Sequence, residues 1–209
     1  MQVKPPRMET GEVILPFVPD RLYAPIATHI RSTMVTSSVA SLKARGFYEA
    51  YVANLPADLR VEIPATVAGF WLPIDKGIVH YEACDRLRLP VADLLEIGAS
   101  VGDRSTKSAL SLVTKLAAGS GATPWTILSN ARRLWERAFQ GSSIGAFKLG
   151  PKEARLEMIG WPLARIEYNR VSMRGILRSL FSPFCTRVYV TELMPLCTPL
   201  TVGYRIAWA

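Results

Sequence analysis

The last third of the chain alternates apolar and polar or small positions, the pattern of a strand with one buried face. Strands are predicted over residues 144–149 and 154–159, on either side of a Gly150-Pro151 turn, and over residues 186–193 and 200–208. The apolar positions of the last strand are Leu200, Val202, Tyr204, Ile206 and Trp208. An amphipathic helix ending at Phe181 lies between the two strand pairs. This third therefore predicts four strands and one helix.

The first two thirds show apolar residues at steps of three and four, which is typical of helices. Helices are predicted over residues 30–46, 47–55, 75–87 and 127–139, with one or two more over residues 91–116. Gly98 and Gly102 lie four residues apart and permit a close helix crossing. Gly141 ends the last helix of this region.

Helices followed by strands favour an α+β fold, with a helical layer packed on a four-stranded antiparallel sheet that the C-terminal third forms. Prolines crowd the start of the chain, so residues 1–24 are predicted to form an extended N-terminal arm that lies against the body. Residues 25–209 are predicted to form a single domain. Its helices occupy residues 25–140, and the sheet with its one helix occupies residues 141–209.

Composition limits the functional classes. The 209 residues are 49% hydrophobic, yet no apolar run reaches the length of a membrane-spanning helix, and the start has no secretory signal. Three widely spaced cysteines form no disulfide framework. We therefore expect a cytoplasmic protein without a membrane span.

The net charge of +8 comes from scattered basic residues, so nucleic-acid binding is not expected. Arg165, Arg170, Arg174 and Arg178 recur near helical spacing. They form either a solvated face or a basic interaction face for an acidic partner.

The sequence contains partial matches to a catalytic pattern and to a metal-binding pattern, but the elements predicted around them do not suit either function. Ser143 occupies the centre of a G-x-S-x-G pattern, but a helix precedes it and both histidines lie upstream, so a polar turn is the better interpretation. His80, Glu82 and Cys84 would share one face only in a strand, whereas a helix is predicted there. We predict no catalytic residues and no metal site.

Aromatic residues offer walls for a ligand pocket between the 127–139 helix and the sheet. Trp135, Trp161 and Tyr168 are the candidate walls, and Arg132 or Arg174 is the candidate charged group. The same aromatic residues also suit an ordinary core.

Several C-terminal motifs carry a family resemblance: Gly150-Pro-Lys-Glu-Ala-Arg155, Gly160-Trp-Pro-Leu163, Arg174-Gly175, and the run from Thr191-Glu192 through Cys197 to Tyr204-Arg-Ile-Ala-Trp208. The run 141–209 resembles the ending of a ligand-binding superfamily that includes haem nitric-oxide sensors, 4-vinyl-reductase-type sensor domains and TRAPP trafficking subunits. It is most similar to an uncharacterised bacterial family, expanded in myxobacteria, that also closes on a Tyr-x-x-x-Trp strand.

The resemblance implies a helical layer on an antiparallel sheet, frequent dimerisation and a pocket between the two layers. Its haem branch uses a helix histidine and a Tyr-x-Ser-x-Arg triad. Here Tyr168 and Ser172 stand four residues apart before Arg174, so no cofactor is predicted. The 4-vinyl-reductase branch closes on paired cysteines, whereas Cys197 is followed by Gly203 near the second position.

Two functional hypotheses follow. The first is a non-enzymatic protein-interaction or scaffold module of the TRAPP-like type, a homodimer that binds an acidic partner or a small GTPase. The alternative is a sensor domain that holds a small aromatic or lipid-like molecule between helices and sheet.

Overall fold

A computed structural model describes residues 11–118 and 123–209 of the chain. Its seven labelled helices in this part are α1 (Ser32–Ala44), α2 (Tyr48–Asn54), α3 (Ile74–Asp85), α4 (Val91–Ala118), α5 (Pro124–Ser129), α6 (Ala131–Ala138) and α7 (Glu167–Phe181). The strands are β1 (Glu12–Leu15), β2 (His29–Arg31), β3 (Trp71–Pro73), β4 (Phe139–Gln140), β5 (Ser143–Gly150), β6 (Glu153–Ile159), β7 (Val188–Glu192) and β8 (Thr201–Trp208).

The main sheet is antiparallel and has five strands in the order β1-β5-β6-β8-β7, so the prediction of four strands was wrong. Four of them do come from the C-terminal third, as the alternation predicted. The fifth, β1, comes from the N-terminal segment and pairs Val13 with Phe147. This pairing supplies partners to backbone groups that β5 would otherwise present at a free edge. Residues 1–10 of the predicted arm lie outside the described residues.

One face of the main sheet packs on the helices. Leu156 of β6 lies opposite Tyr204 of β8, and Met158 lies opposite Val202, so these apolar pairs share the helix-facing side. All four are at most 2% exposed. The hydroxyl of Tyr204 donates a hydrogen bond to the Arg170 carbonyl at 2.9 Å, which ties β8 to α7. Leu200 precedes β8 and is 39% exposed, so the buried alternation begins only at Val202.

The N-terminal segment covers the opposite face of the sheet. Phe17 lies against Gly145 and Phe147 of β5. Glu157 is fully buried on this side and forms ion pairs with Arg21 at 2.5 Å and Arg155 at 2.8 Å. A buried carboxylate needs such partners, since the cost of its desolvation is otherwise unopposed. The segment therefore belongs to the folded body by charge pairing as well as by apolar contact.

A second, three-stranded sheet has the order β3-β2-β4. Ile30, which was predicted to begin a helix, is the middle residue of β2, so that α1 starts two residues later. In this sheet Arg31 lies directly opposite Trp71.

The predicted helix over residues 127–139 is two helices. Asn130 separates α5 from α6, and its side-chain amide donates to the Thr126 carbonyl at 2.9 Å. Asparagine competes with the helical backbone in this way and is common at helix ends. The break redirects α6 along the sheet.

Among the described residues, no helix has both the length and the apolar character to cross a bilayer.

The helical layer is held together by a close crossing of α4 and α7. A Cβ atom at Gly98 of α4 would overlap the carbonyl oxygen of Ser172, and a Cβ atom at Gly175 of α7 would overlap that of Leu95. The two backbones are therefore in direct contact, which only glycine permits. Gly98 was one of the two glycines that the sequence analysis assigned to a helix crossing.

Gly98→Ala is expected to lower the free energy of unfolding by about 1–3 kcal/mol, because the new methyl group displaces backbone and not a side chain. Urea unfolding followed by circular dichroism measures the change. Gly77→Ala in α3 is the matched control, since its Cβ atom meets a methyl group of Ile30, which can rotate away. A Gly98→Ala protein as stable as the Gly77→Ala protein would contradict the direct backbone contact.

Candidate functional site

A cavity of about 810 Å³ lies between the helical layer and the main sheet. Its walls come from the three strands of the second sheet and the segment before β3, from α1, α4, α5, α6 and α7, and from the neighbouring main-sheet strands β5 and β6. The apolar lining residues are Met34, Ala68, Trp71, Ile127, Leu128, Ala131, Leu134, Trp135, Ala138, Phe139, Ile144, Leu156, Met158, Met173, Ile176, Leu177, Leu180 and Phe181. The volume is in the range of sites that hold drug-sized ligands.

The amphipathic pattern of each element explains which side chains reach the cavity. Leu156 and Met158 stand two apart on β6, while Met173, Leu177 and Leu180 follow helical steps on α7. Each element thus turns its apolar face inward. Because facing layers leave an open space there, this part of the interior is lined with apolar groups but not filled by them.

Trp135 is held firmly in the cavity wall. Its indole N–H donates to the Ser142 hydroxyl at 2.8 Å. Its ring lies edge-on to Trp161 at 5.3 Å and tilted against Phe139 at 4.4 Å between centroids. The polar atom is satisfied outside the cavity, so the ring presents only apolar surface to it.

Polar side chains on the described walls are few: Arg31, Thr33, Glu136 and Arg137. Glu136 and Arg137 are exposed, so the cavity opens to solvent at their end of α6. Arg31 is half-buried, and its guanidinium carbon lies 5.0 Å from the centre of the Trp71 ring, a cation–π contact.

The predicted pocket residues separate in the structure. Trp135 lines the cavity, whereas Trp161 lies behind Trp135 and Tyr168 borders a different pocket, of about 210 Å³, beside Cys84. Arg132 donates to the Pro16 carbonyl, and Arg174 donates to the Val190 carbonyl at 3.1 Å. Neither arginine is among the residues that line the large cavity, where Arg31 and Arg137 supply the positive charge instead.

The predicted basic interaction face is largely engaged within the chain. Arg165 pairs with Glu82 at 2.8 Å, and Arg170 pairs with Glu192 at 3.1 Å. Arg174 is turned onto β7, as described above, while Arg178 is exposed. Arg165, Arg170 and Arg174 therefore connect α7 and the turn before it to neighbouring elements.

Sequence reasoning missed the pairing of Arg31 with Trp71. The two residues are far apart in the sequence, and neither belongs to a motif. The short strands β2 and β3 bring them together. A three-residue strand leaves too short a pattern for its pairing to be inferred from the sequence alone.

His80 lies on α3, away from the large cavity, and is fully buried. Its Nδ1 atom lies 2.8 Å from the hydroxyl of Tyr51, and its Nε2 atom lies 3.7 Å from the sulfur of Cys84. Burial lowers the pKa of His80 to about 3 and raises the pKa of the Cys84 thiol above its ordinary value. Both groups are thus neutral near pH 7.

Ser143 and Glu82, which were considered for catalysis and metal binding, also make contacts that hold the fold together. Ser143 is buried, and its hydroxyl hydrogen-bonds to the backbone of Val18 at 3.3 Å. Glu82 does not join His80 and Cys84, since it pairs with Arg165. Within residues 11–118 and 123–209, as far as their side chains are described, no three His, Cys, Asp or Glu side chains are grouped to hold a metal ion.

Solved structures of H-NOX domains share this fold. One is an oxygen-binding H-NOX domain related to soluble guanylate cyclases, in its oxygen complex, with 11% identity and a TM-score of 0.55, covering 86% of this chain and 95% of that one. Another is an unliganded Fe(II) H-NOX variant from K. algicida, with 8% identity and a TM-score of 0.58, covering 86% of this chain and 97% of that one. A third comes from work on haem distortion in the H-NOX family, with 11% identity, a TM-score of 0.55 and coverages of 86% and 95%.

No family model and no curated protein matches the chain in sequence.

The similarity to these solved structures shows that the protein has an H-NOX-like fold. This fold agrees with the haem-sensor part of the resemblance. The structural similarity gives no support to the predicted resemblance to TRAPP subunits, 4-vinyl-reductase-type domains or the myxobacterial family. The similarity to H-NOX domains confirms the prediction of an α+β fold that combines helices with a sheet.

The fold implies haem, but the residues of this chain do not fit that group. Haem iron is held by histidine, cysteine or tyrosine, or by methionine together with histidine. The chain has only His29 and His80. His29 lies on β2 beside Thr28, and His80 lies on α3 with its ring against the Tyr51 hydroxyl. Met34, Met158 and Met173 are the only ligand-type donors among the described cavity residues, and no histidine joins them.

The buried His80 predicts an acid-sensitive fold. The ordinary pKa of histidine is 6.5, whereas burial lowers the pKa of His80 to about 3 in the folded chain. Between these values only the unfolded chain takes up the proton. The free energy of unfolding should therefore fall as pH decreases from 6.5, by at most about 1.4 kcal/mol per pH unit. Above pH 6.5 the ring is neutral in both states and adds no slope.

Urea unfolding at several pH values between 6.5 and about 5 tests this dependence. His80→Gln should flatten the slope, although it also loses the contact with Tyr51 and lowers the overall stability. His29→Gln, at a half-exposed position, is the matched control and should keep the slope. An unchanged slope in the His80→Gln protein would show that other groups cause the acid sensitivity.

Proposed function

We propose that this protein is a sensor domain that binds a small, largely apolar molecule, and not haem, in the cavity between its helices and its main sheet. The single observation that carries the proposal is the cavity itself, about 810 Å³ with walls that are almost entirely apolar in the described residues. An apolar ligand in a space of this size would make dispersion contacts with walls on several sides.

The H-NOX-like fold supports a sensing role, since one structural neighbour is described as an oxygen-binding domain related to soluble guanylate cyclases. A fold does not by itself assign a function, so the argument rests on the cavity and its lining. The proposal is one of binding without catalysis.

The interaction-module hypothesis has less support. It invoked the helical faces together with a basic surface, and within that surface Arg165, Arg170 and Arg174 use their guanidinium groups inside the chain. Binding of an acidic protein or a small GTPase, and formation of a homodimer, would need another surface. Ligand binding in the cavity does not require such a surface.

Ala138→Trp tests the cavity as the binding site. Ala138 is half-buried and lines the cavity, so a large ring placed there should occupy part of the space and weaken ligand binding about tenfold or more. Native mass spectrometry of protein purified without denaturant would show the parent chain with added mass. Ala92→Trp, at an exposed position on α4, is the matched control and should retain the ligand.

A parent protein of bare mass that also binds nothing from a library of apolar small molecules would contradict the proposed function. Equal ligand retention by the Ala138→Trp and Ala92→Trp proteins would place the ligand elsewhere.

Haemin addition tests the exclusion of haem. Because no histidine, cysteine or tyrosine lines the described cavity, haemin should show no axial coordination by the protein in its Soret and visible bands. The readout is the absorption spectrum after removal of free haemin by gel filtration. A stable complex with a ligated-iron spectrum would overturn this exclusion.

A further inference from the structure

The charged groups at the cavity do not balance. Arg31 and Arg137 are positive and Glu136 is negative, which leaves one net positive charge (two minus one) among the described lining residues. Among the nine ion pairs of the described residues, none involves Arg31 or Arg137. By contrast, Arg45, Arg165 and Arg170 of the helical layer each pair with a carboxylate.

Arg31 is positioned by the fold. It is the last residue of β2, lies opposite Trp71 of β3, and its guanidinium lies over the Trp71 ring, which itself lines the cavity. The Arg31 side chain forms no hydrogen bond or ion pair with the described residues, so its N–H groups are available as donors. These donors suit the two oxygens of a carboxylate, which they can bind as a bidentate pair.

The apolar walls favour a flexible chain over a rigid planar body. Met34, Met158 and Met173 lie on three different elements of the wall, and methionine side chains adapt their shape to what they contact. Aliphatic residues from α5, α6 and α7 and four aromatic rings complete the surface. A single alkyl chain can follow such a space.

We propose that the ligand is a monoanionic amphiphile, an alkyl chain with a terminal carboxylate, whose chain fills the cavity and whose carboxylate binds Arg31. This inference rests on the proposed function and names its ligand class. One net positive charge matches one carboxylate, while Glu136 disfavours a dianionic headgroup such as a phosphate monoester.

Four probes of equal chain length test the headgroup: dodecanoate, dodecanol, dodecylamine and dodecyl phosphate, each below its aggregation threshold. Quenching of tryptophan fluorescence reports binding, because Trp135 and Trp71 lie in the cavity wall. Dodecanoate should bind about tenfold more tightly than dodecanol, since a charge-assisted hydrogen bond adds to the same apolar contact.

Arg31→Gln should remove the preference for dodecanoate over dodecanol. Arg133→Gln removes the same charge from an exposed position on α6 that does not line the cavity, and it should keep the preference. Arg31→Lys, which keeps the charge but loses the bidentate geometry, should retain part of it. Circular dichroism confirms that each variant is folded.

Each outcome separates this inference from the proposed function. Equal binding of dodecanol and dodecanoate, or tightest binding of dodecylamine or dodecyl phosphate, overturns the carboxylate assignment and leaves the cavity as a ligand site. A preference that survives in the Arg31→Gln protein overturns the role of Arg31. Absence of binding by all four probes overturns the alkyl-carboxylate class, while ligand mass found by native mass spectrometry would still support the proposed function.

Discussion

The direct backbone contact of α4 and α7 at Gly98 and Gly175 is the constraint on which the remaining structure depends. It fixes α7 at the centre of the molecule, between the other helices and the sheet. From there α7 reaches β8 through the Tyr204 hydroxyl and β7 through Arg174. Because α7 also supplies Met173, Leu177 and Phe181 to the cavity wall, the crossing helps to position that wall.

The chain separates two properties that its structural neighbours suggest together. It has the H-NOX-like fold and a cavity between the helical layer and the sheet, yet neither of its histidines is among the residues that line that cavity. His80 shows the reason in physical terms: full burial beside Tyr51 and Cys84 makes it a neutral core residue. A fold can thus be kept while the chemistry of its site changes, since few side chains decide that chemistry.

Charge in this protein is used in two ways. Arg165, Arg170 and Arg21 pair with carboxylates and connect elements that are distant in sequence, and the fully buried Glu157 needs Arg21 and Arg155 for its charge. Arg31 lies over the Trp71 ring at the cavity and has no carboxylate partner among the described residues. The net charge of +8 does not distinguish arginines that pair with carboxylates from Arg31, because it counts every charge equally.

The sequence by itself determined the elements of the C-terminal third. Alternation identified β5, β6, β7 and β8, and Trp135 was correctly placed on an apolar helix face, because these patterns depend only on neighbours within a few residues. Only the tertiary structure decided that β1 adds a fifth strand, that Asn130 divides a helix, and that Arg31 meets Trp71. Each of these depends on contacts between distant segments or on competition for backbone hydrogen bonds, which local periodicity does not record.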